Sequence, residues 1–251
     1  MDGRLRRLDL KNALSAIADL ALPRVCIVCG RVLMPQEKHL CTICLADLPE
    51  TYFAAFSHNP MADRLNAKIE RDRIRRGLEG AEPYAAAAAL YFYRGGAPYR
   101  KISQELKYRR NFAAGEYFAH MLGSRLAASP VWADVDLVVP VPLHWTRRRA
   151  RGYNQAEVIA RCVAKELGIP CRAHALQRVR KTRSQARLGS NQKASNVAGA
   201  FRVRGKVEAS HILVIDDVCT TGATLSECII ALREALGPDV KLSAATLGVV
   251  G

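Results

Sequence analysis

Hydrophobic positions change their period along this chain, and the changes mark its parts. Residues 5–22 place leucine, alanine and isoleucine at spacings of three and four, which predicts a short amphipathic helix packed on the protein itself. From 51 to 83 the pattern is weak. Pro49, Asn59-Pro60 and the stretch 77–83 punctuate it, and a helix over 61–77 is predicted to carry the basic run 71–76 on a solvated face. After Pro83 the periods alternate. Strands are expected at 85–93, 136–141, 201–203, 211–215 and 240–250. Helices are expected at 102–126, at 153–167, where Gly168 and Pro170 end it, and at 222–236, where Gly237-Pro238 stops it. Strands alternating with helices of about a dozen residues predict an α/β domain with a parallel sheet covered on both faces. In such sheets ligands bind beyond the carboxyl ends of the strands.

Composition changes this picture little. At 251 residues, with 49% hydrophobic and 24% charged, the chain can bury one ordinary core plus a small appendage. No apolar run approaches the roughly 18 to 20 residues of a membrane span, and Arg4, Arg6, Arg7 and Asp9 interrupt the N-terminal leucines, so a cytoplasmic location is expected. Charge changes the picture more. The net charge is +15, and residues 145–187 hold twelve Lys and Arg against Glu157 and Glu166, a net of +10. An anionic partner, phosphate or nucleic acid, is implied.

Four of the eight cysteines fall in two pairs, Cys26-Ile-Val-Cys29 and Cys41-Thr-Ile-Cys44, with eleven residues between. Each pair can form a tight knuckle aiming two thiolates at one ion, and two knuckles complete a four-cysteine zinc shell. Gly30 suits the turn after the first knuckle. His39 is a fifth ligand candidate that the shell does not need. Such a closed site is structural, and a unit this small takes most of its folding free energy from the metal. The predicted division is therefore an N-terminal helix and zinc ribbon over 1–50, a helical linker over 51–84 and the main domain over 85–251.

The stretch Ile212-Leu-Val-Ile-Asp216-Asp217-Val-Cys219-Thr220-Thr221-Gly222-Ala223-Thr224 carries the chemistry. An apolar strand delivers two adjacent carboxylates to the sheet's edge, and a loop of small and hydroxyl residues then opens a helix whose N-H groups and dipole favour a phosphate. Two acids one sugar length from a phosphate loop read as a site for a phosphorylated ribose. Residues 142–155 form a strand-end loop loaded with Arg147, Arg148, Arg149 and Arg151, whose planar forks suit phosphate oxygens. Residues 178–187 form a second basic stretch, the place for a mobile flap.

Residues 214–224 resemble the signature of type I phosphoribosyltransferases for 5-phosphoribosyl-1-pyrophosphate (PRPP). Further stretches narrow the resemblance to the competence protein F family: the double cysteine knuckle, Leu106-Lys107-Tyr108, Val139-Pro-Val-Pro-Leu143-His144, Arg149-Ala-Arg151-Gly-Tyr-Asn-Gln155 and the start of the second basic stretch. The resemblance implies a type I phosphoribosyltransferase-like sheet with a zinc ribbon. It implies Asp216 and Asp217 as the catalytic pair on the ribose hydroxyls, and the 5-phosphate on Cys219, Thr220, Thr221, Gly222, Ala223 and Thr224, with Cys219 acting through its backbone. Pyrophosphate would meet Leu143 and His144 through their backbone and Arg151 through its side chain, with Lys107 a further substrate contact. The implied reaction is displacement of pyrophosphate from PRPP by an acceptor that the residues do not name, with magnesium arriving on the substrate's phosphates and with a part in DNA uptake during natural transformation. A second reading stays open, a non-catalytic PRPP-sensing or single-stranded-DNA-binding adaptor that works with other competence proteins. The aromatic content of only 6% argues against strong strand binding.

Overall fold

The computed structural model describes residues 23–78, 80, 82–93, 97–180 and 199–251. The helix predicted over 5–22 and most of the second basic stretch lie outside them. The chain divides into two compact units at Leu48. In the first, an isolated antiparallel bridge joins Val25 to Val32, and a short helix, α1 (Thr42–Ala46), carries Cys44 with Cys41 as its N-cap.

The second unit, Pro49–Gly251, is built on a sheet of four parallel strands, β1 (Ala87–Phe92), β2 (Leu137–Pro140), β5 (His211–Cys219) and β6 (Lys241–Val249), in the spatial order β1, β6, β5, β2. This is the predicted α/β architecture. The central strands are almost wholly apolar because both faces are covered. Ile212 and Val214 lie in one core with Leu225, Ile229 and Leu232 of α7 (Ala223–Leu236) and Met61, Leu65 and Ile69 of α2 (Pro60–Arg75). On the alternate positions Leu213 and Ile215 are equally buried, and on that side α6 (Gln155–Leu167) packs on β2, β5 and α4 (Phe112–Ala127).

The segment expected as a linker thus holds α2, which contributes core residues. Its polar side also reaches into the fold: Asp72 takes both Lys68 and the Ser226 hydroxyl, and Glu82 bridges Arg73 and Arg233. Charge in a helix pattern reads as a solvated face until its partners, over 150 residues away, are in place. Among the described residues no helix is long and apolar enough to cross a membrane.

Three local expectations differ from the structure. The periodic run 102–126 is two helices, α3 (Arg100–Tyr108) and α4, separated where Arg110 takes a left-handed backbone at φ 54° and the Asn111 side chain caps α4 by accepting from Ala114 N at 3.1 Å. The strand predicted to end at Ile215 runs on through Asp216 and Asp217 to Cys219, because β6 supplies partners along its whole length. The strand near Phe201 forms outside the parallel sheet. It is β4 (Phe201–Val203), antiparallel to β3 (Leu176–Arg178), and together they make the stem of the second basic stretch.

Gly123 of α4 lies so close to α6 that a Cβ there would sit 2.7 Å from Glu166 Cβ. Glu166 has little freedom to move, since its carboxylate meets His120 Nδ1 at 2.7 Å and accepts from the Ser124 hydroxyl at 3.2 Å. Gly123→Ala should therefore destabilise the fold by about 1 to 3 kcal/mol through overpacking, although alanine is the better helix former. A denaturation midpoint at or above that of the parent would contradict this packing.

Candidate functional site

β2 pairs with β5 only as far as Pro140 opposite Ile215, and one more bond, from Val141 N to Ile215 O at 2.8 Å, closes the ladder. Beyond Val141 the two strands share no further hydrogen bond among the described residues. β5 runs four residues further, paired on its other edge with β6 alone. The edge left open borders a cleft of about 390 Å³.

On the β5 side the two acids lie half-buried. Asp216 Oδ1 accepts from Asp217 N at 2.8 Å, and Asp217 Oδ1 accepts from Val218 N at 2.7 Å. Lys107, from the last turn of α3, sets its Nζ 2.8 Å from Asp217 Oδ2. Burial first, and then the charge of Asp217, pushes the Asp216 carboxyl up to about 7. Thr220, Gly222, Ala223 and Thr224 line the cleft at the N-terminus of α7, where Gly222 holds φ 75°. A side chain at that position would strain the turn. Cys219 also lines the cleft, but burial pushes its thiol up to about 11, so little thiolate forms near neutral pH. Thr221 is set apart from the cleft lining, and its hydroxyl is buried with no hydrogen-bond partner among the described residues.

The facing wall is cationic. Leu143, Arg147 and Arg151 line it, with Asn154 and Gln155 behind. Arg147 and Arg151 belong to α5 (Trp145–Arg151), and the Arg151 guanidinium lies 5.5 Å from the centre of the Tyr108 ring. Arg178, at the end of β3, completes the wall and packs over Phe201 at 5.2 Å. Burial first, and then a neighbouring arginine, lowers the affinity of Arg147 and of Arg178 for their protons. An anion between them would relieve both effects. Arg148 and Arg149 are exposed and stand outside the cleft lining, Arg148 lying 3.6 Å from Glu157. His144 is buried and caps α5, its Nδ1 2.9 Å from the Thr146 hydroxyl, and it too is absent from the lining.

The structure thus gathers Lys107, Leu143, Arg151, Asp216, Asp217, Cys219, Thr220, Gly222, Ala223 and Thr224 around one cavity, and leaves the side chains of His144 and Thr221 out of it. It adds Arg178, expected in a flap, Asn154 and Gln155, which close the motif beginning at Arg149 but were given no role, and Tyr93, which no motif marked. Arg178 reaches the cleft because the β3 to β4 pairing holds it there, and a pairing across 22 residues leaves no local signal.

The first unit holds a candidate metal centre. The sulfurs of Cys26, Cys29, Cys41 and Cys44 all lie within 4.8 Å of one another, with Cys29 and Cys41 3.7 Å apart. A tetrahedral zinc with bonds of about 2.3 Å needs edges of about 3.8 Å, so the shell fits that ion. Gly30, at φ 77°, donates its N-H to Cys26 O at 2.9 Å and closes the first knuckle. Burial opposes ionisation of Cys26, but hydrogen bonds from the backbone of Cys29, Cys41 and Val28 lower its thiol to about 7. Among the described residues His39 is outside the cluster. Its carbonyl accepts from Ile27 N at 3.0 Å instead.

Residues 154–246 match the family model described as a phosphoribosyl transferase domain. The DNA utilization protein YhgH of Salmonella typhimurium is 26% identical over 212 residues, 83% of this chain and 90% of that protein. Competence protein ComFC of Bacillus subtilis is 26% identical over 227 residues, 89% and 83% of the two chains. Competence protein F of Haemophilus influenzae is 32% identical over 102 residues, 39% and 44% of the two. The chain is thus similar along most of its length to proteins named for competence and DNA utilization, and it carries a phosphoribosyl transferase domain. The domain match begins at Asn154, so the acids and the phosphate-type loop fall inside it, while Lys107, Leu143 and Arg151 precede it.

Two predictions follow from these geometries. Protein purified without chelator should carry about one zinc per chain, and Cys26→Ser with Cys41→Ser should lose it, as read by elemental analysis. Full metal retention in the double variant would contradict the shell. Asp216 ionises at about 7 when folded against an ordinary 3.8, so the folded state keeps a proton that the unfolded chain loses, and stability falls as pH rises through that window. Asp216→Asn should therefore raise the melting temperature of the ligand-free protein at about pH 8 and change it little at about pH 4. Equal effects at both would show that the carboxyl titrates normally.

Proposed function

We propose that this protein binds PRPP and transfers its phosphoribosyl group to an acceptor, releasing pyrophosphate, within the handling of incoming DNA in the cytoplasm. The observation that carries this reading is the opposition, across one cleft, of two acids beside a phosphate-type helix N-terminus to a wall holding Arg147, Arg151 and Arg178. A ligand with one phosphate, a polyhydroxylated middle and a more highly charged far end matches that sequence of groups. The DNA utilization and competence names of the relatives support the process.

In this reading the N-H groups and hydroxyls of residues 220–224 hold the 5-phosphate, and Asp216 and Asp217 accept from the ribose hydroxyls. Arg147, Arg151 and Arg178 face the pyrophosphate. The bond from the anomeric carbon to the pyrophosphate oxygen breaks, its electron pair leaves with that oxygen, and the acceptor's lone pair forms the new bond. Fixed guanidinium groups stabilise the charge that develops on the leaving group without having to reorganise. Magnesium, which prefers oxygen ligands and travels on phosphates, would offset part of that charge when bound. The carboxylate oxygens of the acid side suit such an ion.

Exposed Trp145 and Tyr108 stand on the arginine side and favour a second reading, an adaptor that stacks bases of a single strand. Incubation with PRPP, magnesium and a panel of bases and amines separates the two. Acceptor-dependent pyrophosphate release is expected, and Arg151→Ala should weaken PRPP and pyrophosphate by about tenfold while changing ribose 5-phosphate far less. Equal weakening of all three ligands would move Arg151 away from the leaving group. PRPP binding with no release under any acceptor would leave the adaptor.

A further inference from the structure

Lys107 stands at the cleft with its charge already committed. Its Nζ is 2.8 Å from Asp217 Oδ2, and the other oxygen of that carboxylate accepts from Val218 N at 2.7 Å, so both oxygens of Asp217 are held. Asp216 differs. Its Oδ1 accepts from Asp217 N at 2.8 Å, and among the described residues its Oδ2 has no hydrogen-bond partner. Two adjacent acids thus have unequal environments, one fixed and charge-paired, the other with an oxygen to spare.

This inequality matters because the proposed ligand is a polyanion. Two unpaired carboxylates would repel it, and each would also oppose ionisation of the other. A cation that contacts only one of them halves the net charge and leaves the second free to accept. The fold supplies that cation by breaking the run 102–126: α3 ends at Tyr108, Arg110 turns the chain in the left-handed region, and the last turn of α3 borders the cleft.

We propose that Lys107 is a positioning residue, which holds the Asp217 carboxylate fixed and charge-paired so that the acid pair opposes a sugar phosphate less, and which does not itself bind the ligand's phosphates. This rests on the PRPP reading above. Burial works against the charge on Lys107, yet Asp217 and then Asp216 keep its proton affinity raised, as the pairing requires. The other ionisable groups facing the trio are Tyr91 and Tyr93 from β1 and the residue after it, Arg178 from β3, and Cys228 from α7.

The test is a double-mutant cycle read by calorimetric titration of PRPP, with inorganic phosphate as the probe of the 220–224 loop and thermal unfolding as the control for fold. Lys107→Met should weaken PRPP about tenfold or more, and Lys107→Arg should recover most of the loss, because it keeps the charge. In the Asp217→Asn background, Lys107→Met should cost no more than about twofold further, since its target is gone. Losses that multiply in the double variant would show that Lys107 meets the ligand directly and overturn the proposal, as would PRPP binding unchanged in correctly folded Lys107→Met. If Lys107→Met fails to fold, Lys107→Gln carries the same cycle. Wild-type protein that binds phosphate but not PRPP would overturn the PRPP reading itself, an outcome distinct from additivity among the variants.

Discussion

The cleft depends on β2 losing its hold on β5 at Ile215. A parallel strand flanked on both edges has its carboxyl end covered by the neighbouring ladders, and nothing larger than a water could approach its backbone. Beyond Val141 the chain leaves the sheet to form α5. β5 continues on the support of β6 alone, and Asp216 and Asp217 stand at an open edge. The early departure of β2 thus opens the space between the acid wall and the arginine wall.

Charge balance is the second constraint. The cleft holds four cationic side chains and two acids, in partly buried positions where isolated charges are costly. Lys107 and Asp217 pair with one another within the cleft. Burial, and then a neighbouring arginine, lowers the proton affinity of Arg147 and of Arg178, an effect that a bound anion would relieve. The polar layer between α2 and α7 is of the opposite kind. There Asp72, Glu82 and Glu227 are each matched by cations, Glu227 also accepts from Gly199 N at 2.9 Å, and the acids hold the helix pair and the return of the second basic stretch in place. Those matched charges are structural.

The first unit solves a different problem. Among the described residues few buried side chains surround its cysteines, and four converging thiols are better held together when a cation joins them. Its chemistry is closed by geometry: all four positions of a tetrahedral ion are spoken for, leaving none for a substrate.

Much of this was determined by the sequence alone. Period-two and period-three-to-four runs located the strands and helices, because burial on both faces of a parallel sheet imposes apolar continuity that needs no partner to be recognised. The cysteine spacing marked the four-thiol cluster, and the adjacent acids, small loop and helix marked one wall of the cleft, since each is a local arrangement of residues close together in the chain. Tertiary structure decided what depends on distant partners. It ended α3 at Tyr108 and so committed Lys107 to an acid 110 positions away, brought Arg178 into the cleft on a hairpin stem, turned His144 into a helix cap, and drew α2 into the core through partners in α7. Local spacing can show which groups a segment offers. Which of them are already satisfied by the rest of the protein, and which stay free for a ligand, is settled only when the chain has closed on itself.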